Sequence, residues 1–186
     1  MVEQVRMRKV CLDLGHWGKR RRPLDRGAVY RDKVEAYEVV PIMLECAKAL
    51  EREGYLTYML TYGEYEERNK FANEIDADLY LAFHLNSAER PGKYGLILYD
   101  KRGCFSGFFA EVLKDEFERI LPWKFKVKGI DKGDRGFVQI KFTEMPALIL
   151  EPYFLNSEDQ ARYFDKEDFA IALVAGVNKS FRELGV

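Results

Sequence analysis

The chain holds only two histidines, His16 and His84. His16 follows the run VCLDLG and His84 lies within LAFHLNS, so each stands at the carboxyl end of a segment that reads as a buried strand. A single histidine in a strand is commonly a packed or surface residue. Two at equivalent strand ends, with acids at hand, form an inventory for a divalent metal. Glu35 and Glu38 stand three residues apart at the start of the first long helix, on one face, and either can turn toward the sheet edge. Acids in a first turn also suit the helix dipole without any further role. Glu151 follows the buried run ALIL directly. A carboxylate beside a dry core has a raised pKa, which suits proton transfer near neutrality, whereas an ordinary strand-end acid would only cap the next turn.

Two imidazoles and one carboxylate leave a fourth tetrahedral position on zinc for water, whose pKa the metal lowers to about 7. A glutamate outside the metal's ligands can then carry that water's proton to a leaving amine. The inventory is that of a metal-assisted amide hydrolase. Around it stand residues able to meet substrate: Asn86 by hydrogen bonding, Trp17 by stacking on a sugar face, and Arg20 and Arg21 by forked pairing with carboxylates. The last two belong to the basic run Lys19 to Arg22, for which a solvated loop is the plainer reading.

Positioning these residues requires strands alternating with helices. Residues 10–14 read as a short strand ending in Gly-His, followed by a loop rich in glycine, proline and charge. Val39, Ile42, Met43, Cys46, Ala49 and Leu50 recur at helical spacing over residues 34–53, with Gly54 as the stop. Pro41 either begins that helix or kinks it. Strands are expected at 56–60, 78–85, 95–99 and 147–150, and helices at 65–75, 106–120 and 169–183, the first of these with Phe71 and Ala72 on its face. The run DLYLAFHL is apolar enough for a strand covered on both faces. The pattern predicts an α/β fold: a twisted mixed, mostly parallel sheet flanked by helices on both faces, in which ligands gather beyond the carboxyl strand ends.

Composition narrows the setting. The 186 residues fit one domain able to bury roughly 70% of its unfolded surface, and a separate wall-binding module is not expected. Apolar residues make up 47% and charged residues 33%, a globular balance. No run approaches the roughly 20 apolar residues of a membrane span, and the N-terminal stretch lacks a secretory cleavage site. Synthesis in the cytoplasm without a signal peptide is therefore expected. With 30 basic and 31 acidic residues, the net charge of −1 offers nucleic acid no general attraction. Cys11, Cys46 and Cys104 are widely spaced, without metal-binding spacing, and Cys11 and Cys46 read as small buried hydrophobes.

The segments LDLGHWG, DRGAVYRDKVE, LTYGEYEERNKFAN, ADLYLAFHLNS, GLILY, DRGFVQI and MPALILEPYFLNSED stand in register along nearly the whole chain. Their order and spacing resemble the zinc-dependent N-acetylmuramoyl-L-alanine amidases of the Amidase_3 type. That resemblance implies one zinc per chain and cleavage between the N-acetylmuramic acid lactyl group and L-alanine of peptidoglycan. It implies His16, Glu35 and His84 as metal ligands and Glu151 as the catalytic glutamate. The chain looks like the catalytic unit of a phage endolysin or autolysin, acting on the cell wall and expected to be monomeric. The sequence departs from the pattern at Trp17-Gly18, Thr61-Tyr62 and Glu151-Pro152-Tyr153-Phe154, all of which bear on the shape of the substrate groove. The same metal chemistry would serve a zinc peptidase acting on stem peptides. A non-catalytic wall-binding protein of this fold would have no need of Glu151.

Overall fold

Strand and helix alternate along residues 6–22, 25–103 and 105–185, which the computed structural model describes. Cys104 lies outside the described residues. The first half comprises β1 (Lys9–Asp13), the short β2 (Val29–Tyr30) and β3 (Lys33–Val34), α1 (Glu35–Arg52), β4 (Leu56–Leu60), α2 (Tyr65–Glu74) and β5 (Leu79–Phe83). The second comprises β6 (Tyr94–Asp100), α3 (Ser106–Ile120), β7 (Lys124–Ile130), α4 (Phe137–Ile140), β8 (Ala147–Glu151), α5 (Glu158–Tyr163) and α6 (Lys166–Leu184).

The six-stranded sheet runs in the order β4-β1-β5-β8-β6-β7. All neighbouring strands are parallel except β8 and β6. The expected mixed, mostly parallel sheet is therefore present. β5 and β8 are buried at every position, which their continuous apolar sequences LYLAF and ALILE require of central strands. Because side chains alternate across a strand, Leu79, Leu81 and Phe83 pack into one core with Met43 of α1, Leu113 of α3 and Leu173 of α6. Tyr80 and Ala82 face the other way, toward Ala72 of α2 and Phe137 and Ile140 of α4. Helices thus cover both faces. β7, KFKVKGI, closes one edge with lysines outward, a charged face that discourages pairing with another chain.

Helix α1 starts at Glu35 and continues through Pro41, so the proline neither begins the helix nor ends it. Its missing N–H deprives the Tyr37 carbonyl of a helical donor. The first amides of α1 are satisfied from outside: Glu35 N donates to Ala28 O at 2.9 Å and Ala36 N to Arg26 O at 3.2 Å. Helix α2 corrects one expectation. Its buried face is Arg68, Asn69 and Ala72, whereas Phe71 is exposed and meets Tyr58 edge-on. Arg68 turns inward because Asp13, buried at the end of β1, needs a counter-charge. The hairpin β2–β3, strand β7 and the short helices α4 and α5 were not anticipated from sequence.

Candidate active site

Strand register brings the chemistry together. Asp13 of β1 lies opposite Ala82 of β5, and Phe83 lies opposite Leu150 of β8. One step beyond, the His84 amide donates to Leu150 O at 2.9 Å. His16, His84 and Glu151 therefore emerge from the carboxyl ends of three adjacent strands. The break from parallel to antiparallel falls beside them, between β8 and β6, where a crevice is expected in open α/β sheets.

Glu35, the first residue of α1, is buried and turns into this crevice. Its Oε1 lies 3.0 Å from His84 Nδ1 and 3.3 Å from His16 Nε2, and accepts from Leu85 N at 3.1 Å. Its Oε2 accepts from Ala28 N at 2.8 Å. Burial alone would raise its pKa, but the two histidines outweigh that and hold the carboxyl well below the usual range. Glu38, one turn on, has no part in the cluster. Two left-handed glycines permit the approach. A Cβ on Gly15 (φ +77°) would sit 2.5 Å from His84 Nε2, and one on Gly27 (φ +66°) would sit 2.6 Å from Glu35 Oε2 and His16 Cδ2.

Each imidazole is backed on its other nitrogen. His84 Nε2 lies 2.8 Å from Gln139 Oε1 of α4. His16 Nδ1 comes within 3.1 Å of Asp25 Oδ1, but their alignment leaves that buried nitrogen without a hydrogen bond. Asp25 is held in turn by Lys19 Nζ at 2.5 Å, and Lys19 also donates to Tyr65 OH at 2.7 Å. Burial raises the Asp25 pKa, but the Lys19 and His16 contacts prevail and bring it to about 2.

Glu151 is buried at the end of β8, and the exposed Arg135 donates to both of its oxygens at 2.7 and 2.8 Å. Burial dominates there. The Glu151 pKa stands above the ordinary carboxylate value despite the opposing charges of Arg135 and His84. His16, Glu35, His84, Gln139, Arg135, Glu151 and Tyr65 line one cavity of about 200 Å³, room for an amide linkage and a few waters rather than for a polymer.

The other sequence candidates lie outside that lining. Arg20 points to solvent and pairs with Glu67 at 3.1 Å, and the backbone of Arg21 donates to Glu64 Oε1 at 2.9 Å. Trp17 has φ 72°, packs against Tyr37 with ring centroids 5.6 Å apart, and gives its carbonyl to Arg68 at 2.7 Å. Asn86 is buried beyond His84, where its Oδ1 accepts from Ser87 N at 2.8 Å. Sequence reasoning missed Arg135, Gln139, Asp25 and Tyr65. Arg135 stood in the quoted segment DRGFVQI, and Asp13, a charge inside an apolar strand, signalled a buried partner.

His16, Glu35 and His84 form the one His/Cys/Asp/Glu group among the described residues whose ligand atoms all lie within 4.8 Å of one another. Two nitrogens and a carboxylate suit zinc. The hydrogen bonding points the same way. His84 Nε2 faces the Gln139 oxygen and Nδ1 faces Glu35; burial lowers the His84 pKa, but the Glu35 carboxylate outweighs it and raises it, so the space between ring and carboxylate favours positive charge. The residues fit the metal that the sequence resemblance implies.

Residues 10–182 match the Amidase_3 family of N-acetylmuramoyl-L-alanine amidases, and the chain belongs to that family. An endolysin of Bacillus phage SPP1 is 26% identical over 185 residues, covering 94% of this chain. The chain spans 65% of the length of that phage protein. Among solved structures, the N-acetylmuramoyl-L-alanine amidase AmiC2 of Nostoc punctiforme superposes with a TM-score of 0.77 at 22% identity, covering 94% of this chain and 97% of that one. The catalytic domain of CwlV, an N-acetylmuramoyl-L-alanine amidase from Bacillus (Paenibacillus) polymyxa var. colistinus, gives 0.77 at 24% identity, covering 97% and 99%. At these identities the structural likeness speaks for the fold.

Proposed function

We propose that the protein hydrolyses the amide between the N-acetylmuramic acid lactyl group and L-alanine in bacterial peptidoglycan, using one zinc held by His16, Glu35 and His84. The observation that carries this is the approach of His84 Nδ1 and His16 Nε2 to the same oxygen of Glu35, in a cavity that also holds Glu151. Family membership supplies the substrate class.

Zinc in that position supplies Lewis acidity, polarising the scissile carbonyl and making water a stronger acid. The chain's own residues supply the rest. Glu151, with its raised pKa, takes the proton of the attacking water on one carboxylate oxygen and delivers it to the nitrogen of the departing L-alanine. Arg135 holds both oxygens of that carboxylate and keeps it aimed into the cavity. The apolar side chains Leu98, Val138 and Ile149 in the lining limit water around the exchange.

The glycan and stem peptide extend beyond so small a cavity. Exposure of the loop after His16 supports a role for Arg20 and Arg21 in meeting carboxylates of the stem, while Trp17 and Asn86 brace the two histidine loops. The chain forms a catalytic domain that acts on the cell wall as a monomer. The test is clearance of a purified peptidoglycan suspension. Turbidity should fall with enzyme, hold steady after chelation and fall again when zinc is restored. Clearance unaffected by complete metal removal would overturn the metal reading.

A further inference from the structure

We infer that Gln139, oriented by the buried Asp13, is a positioning residue that fixes which ring nitrogen of His84 is left to bind metal. The inference rests on the proposed zinc site and adds to it a residue outside the metal's own ligands.

The argument starts at Asp13. Its Oδ1 accepts from Gly15 N at 2.8 Å and from Arg68 Nη1, and its Oδ2 accepts from Tyr80 OH and from Gln139 Nε2 at 2.9 Å. Four donors meet the roughly four lone-pair sites of a carboxylate, which in its ionised form can only accept. The charge is balanced by Arg68, itself buried and tied to Gly63 O at 3.0 Å and Trp17 O at 2.7 Å. Asp13 therefore presents a fixed acceptor to α4.

A primary amide donates only from nitrogen and accepts only through oxygen. With its nitrogen on Asp13, Gln139 must turn Oε1 to His84 Nε2, 2.8 Å away. That nitrogen then carries the ring hydrogen. The free lone pair lies on Nδ1, which faces Glu35 Oε1 at 3.0 Å. Rotating the amide by half a turn would set oxygen against an acceptor-only carboxylate in a dry core, a costly mismatch. It would also move the ring hydrogen to Nδ1 and remove the metal-facing lone pair. The chain at Gly15 runs close against the Nε2 side of the ring, where a Cβ would fall 2.5 Å from that nitrogen. The same carboxylate holds Gly15 N, one residue before His16, so Asp13 braces both histidine ligands.

Partners of this kind typically change metal affinity by about 10–100-fold. Two measurements test the idea. Nitrogen-15 NMR of the zinc-loaded protein is simplified by there being only two histidines. It should show hydrogen on His84 Nε2 and a metal-bound Nδ1. In a chelator competition, Gln139→Leu should bind zinc about 10–100-fold more weakly at unchanged far-UV circular dichroism, with His84 no longer confined to one tautomer. A protein that takes up no zinc at all overturns the metal reading, and this inference with it. Zinc uptake with hydrogen on His84 Nδ1, or wild-type affinity and tautomer in Gln139→Leu, overturns the inference alone. The NMR result on the unaltered protein decides the matter even if Gln139→Leu fails to fold.

Discussion

One guanidinium nitrogen of Arg135 reaches both carboxylate oxygens of Glu151, at 2.7 and 2.8 Å. The ion pair works against burial, which keeps the Glu151 pKa raised. Arg135 and His84 face Glu151 with positive charge, and Glu35 contributes the negative charge nearby. A base must lose its own proton before it can accept one, so activity should fall as pH drops through this raised pKa. The acidic limb of the rate profile should lie above the ordinary carboxylate range. Arg135→Ala removes a charge that favours the ionised form, so the limb should move to higher pH. An unmoved limb would show that Glu151 does not set it.

Glu151→Gln keeps the shape and removes the proton acceptor. Hydrolysis should drop about 10²–10⁴-fold, the usual contribution of a positioned acid–base group. Zinc content and thermal unfolding should stay close to the parent protein. Activity within a few-fold of wild type would reduce Glu151 to a strand-end partner for Arg135.

Glu35 and Glu38 share a helix face, yet only Glu35 meets the histidines. Metal analysis of purified variants separates them: Glu35→Ala should lose zinc and Glu38→Ala should retain it. The reverse pattern would refute the ligand assignment.

The Asp13–Arg68 pair should be visible in stability as well as in metal binding. Both side chains are buried, and removing one leaves the other as an uncompensated charge. Such losses typically cost about 3–5 kcal/mol. Chemical denaturation of Asp13→Ala should show a stability loss of that size, read as a lower midpoint with little change in slope. A loss under about 1 kcal/mol would mean that water reaches and solvates Arg68.

The strand-end residues were legible in the sequence because position in an α/β sheet carries chemical meaning. His16, His84 and Glu151 each follow an apolar run, and such runs become neighbouring strands. The helical period left Glu35 as one of two candidates, because it places both acids on one face and cannot say which lies deeper; the family resemblance singled it out. The groups behind the site were hidden for a different reason. Gln139 sits in the four-residue helix α4, too short for any period to register. Arg68 lies in a strongly charged helix, where its burial depends on Asp13, 55 residues earlier. β7 escaped notice because its alternating lysines read as a solvated stretch, although period-two alternation is what an edge strand shows.

The most direct test of the central claim is the mass of the products released from purified peptidoglycan. The predicted products are intact stem peptides beginning with a free L-alanine amine, together with glycan strands that keep their lactyl carboxylates. They should form only when zinc is present. Fragments cut within the stem peptide, with the lactyl–L-alanine amide intact, would contradict the account and identify a peptidase.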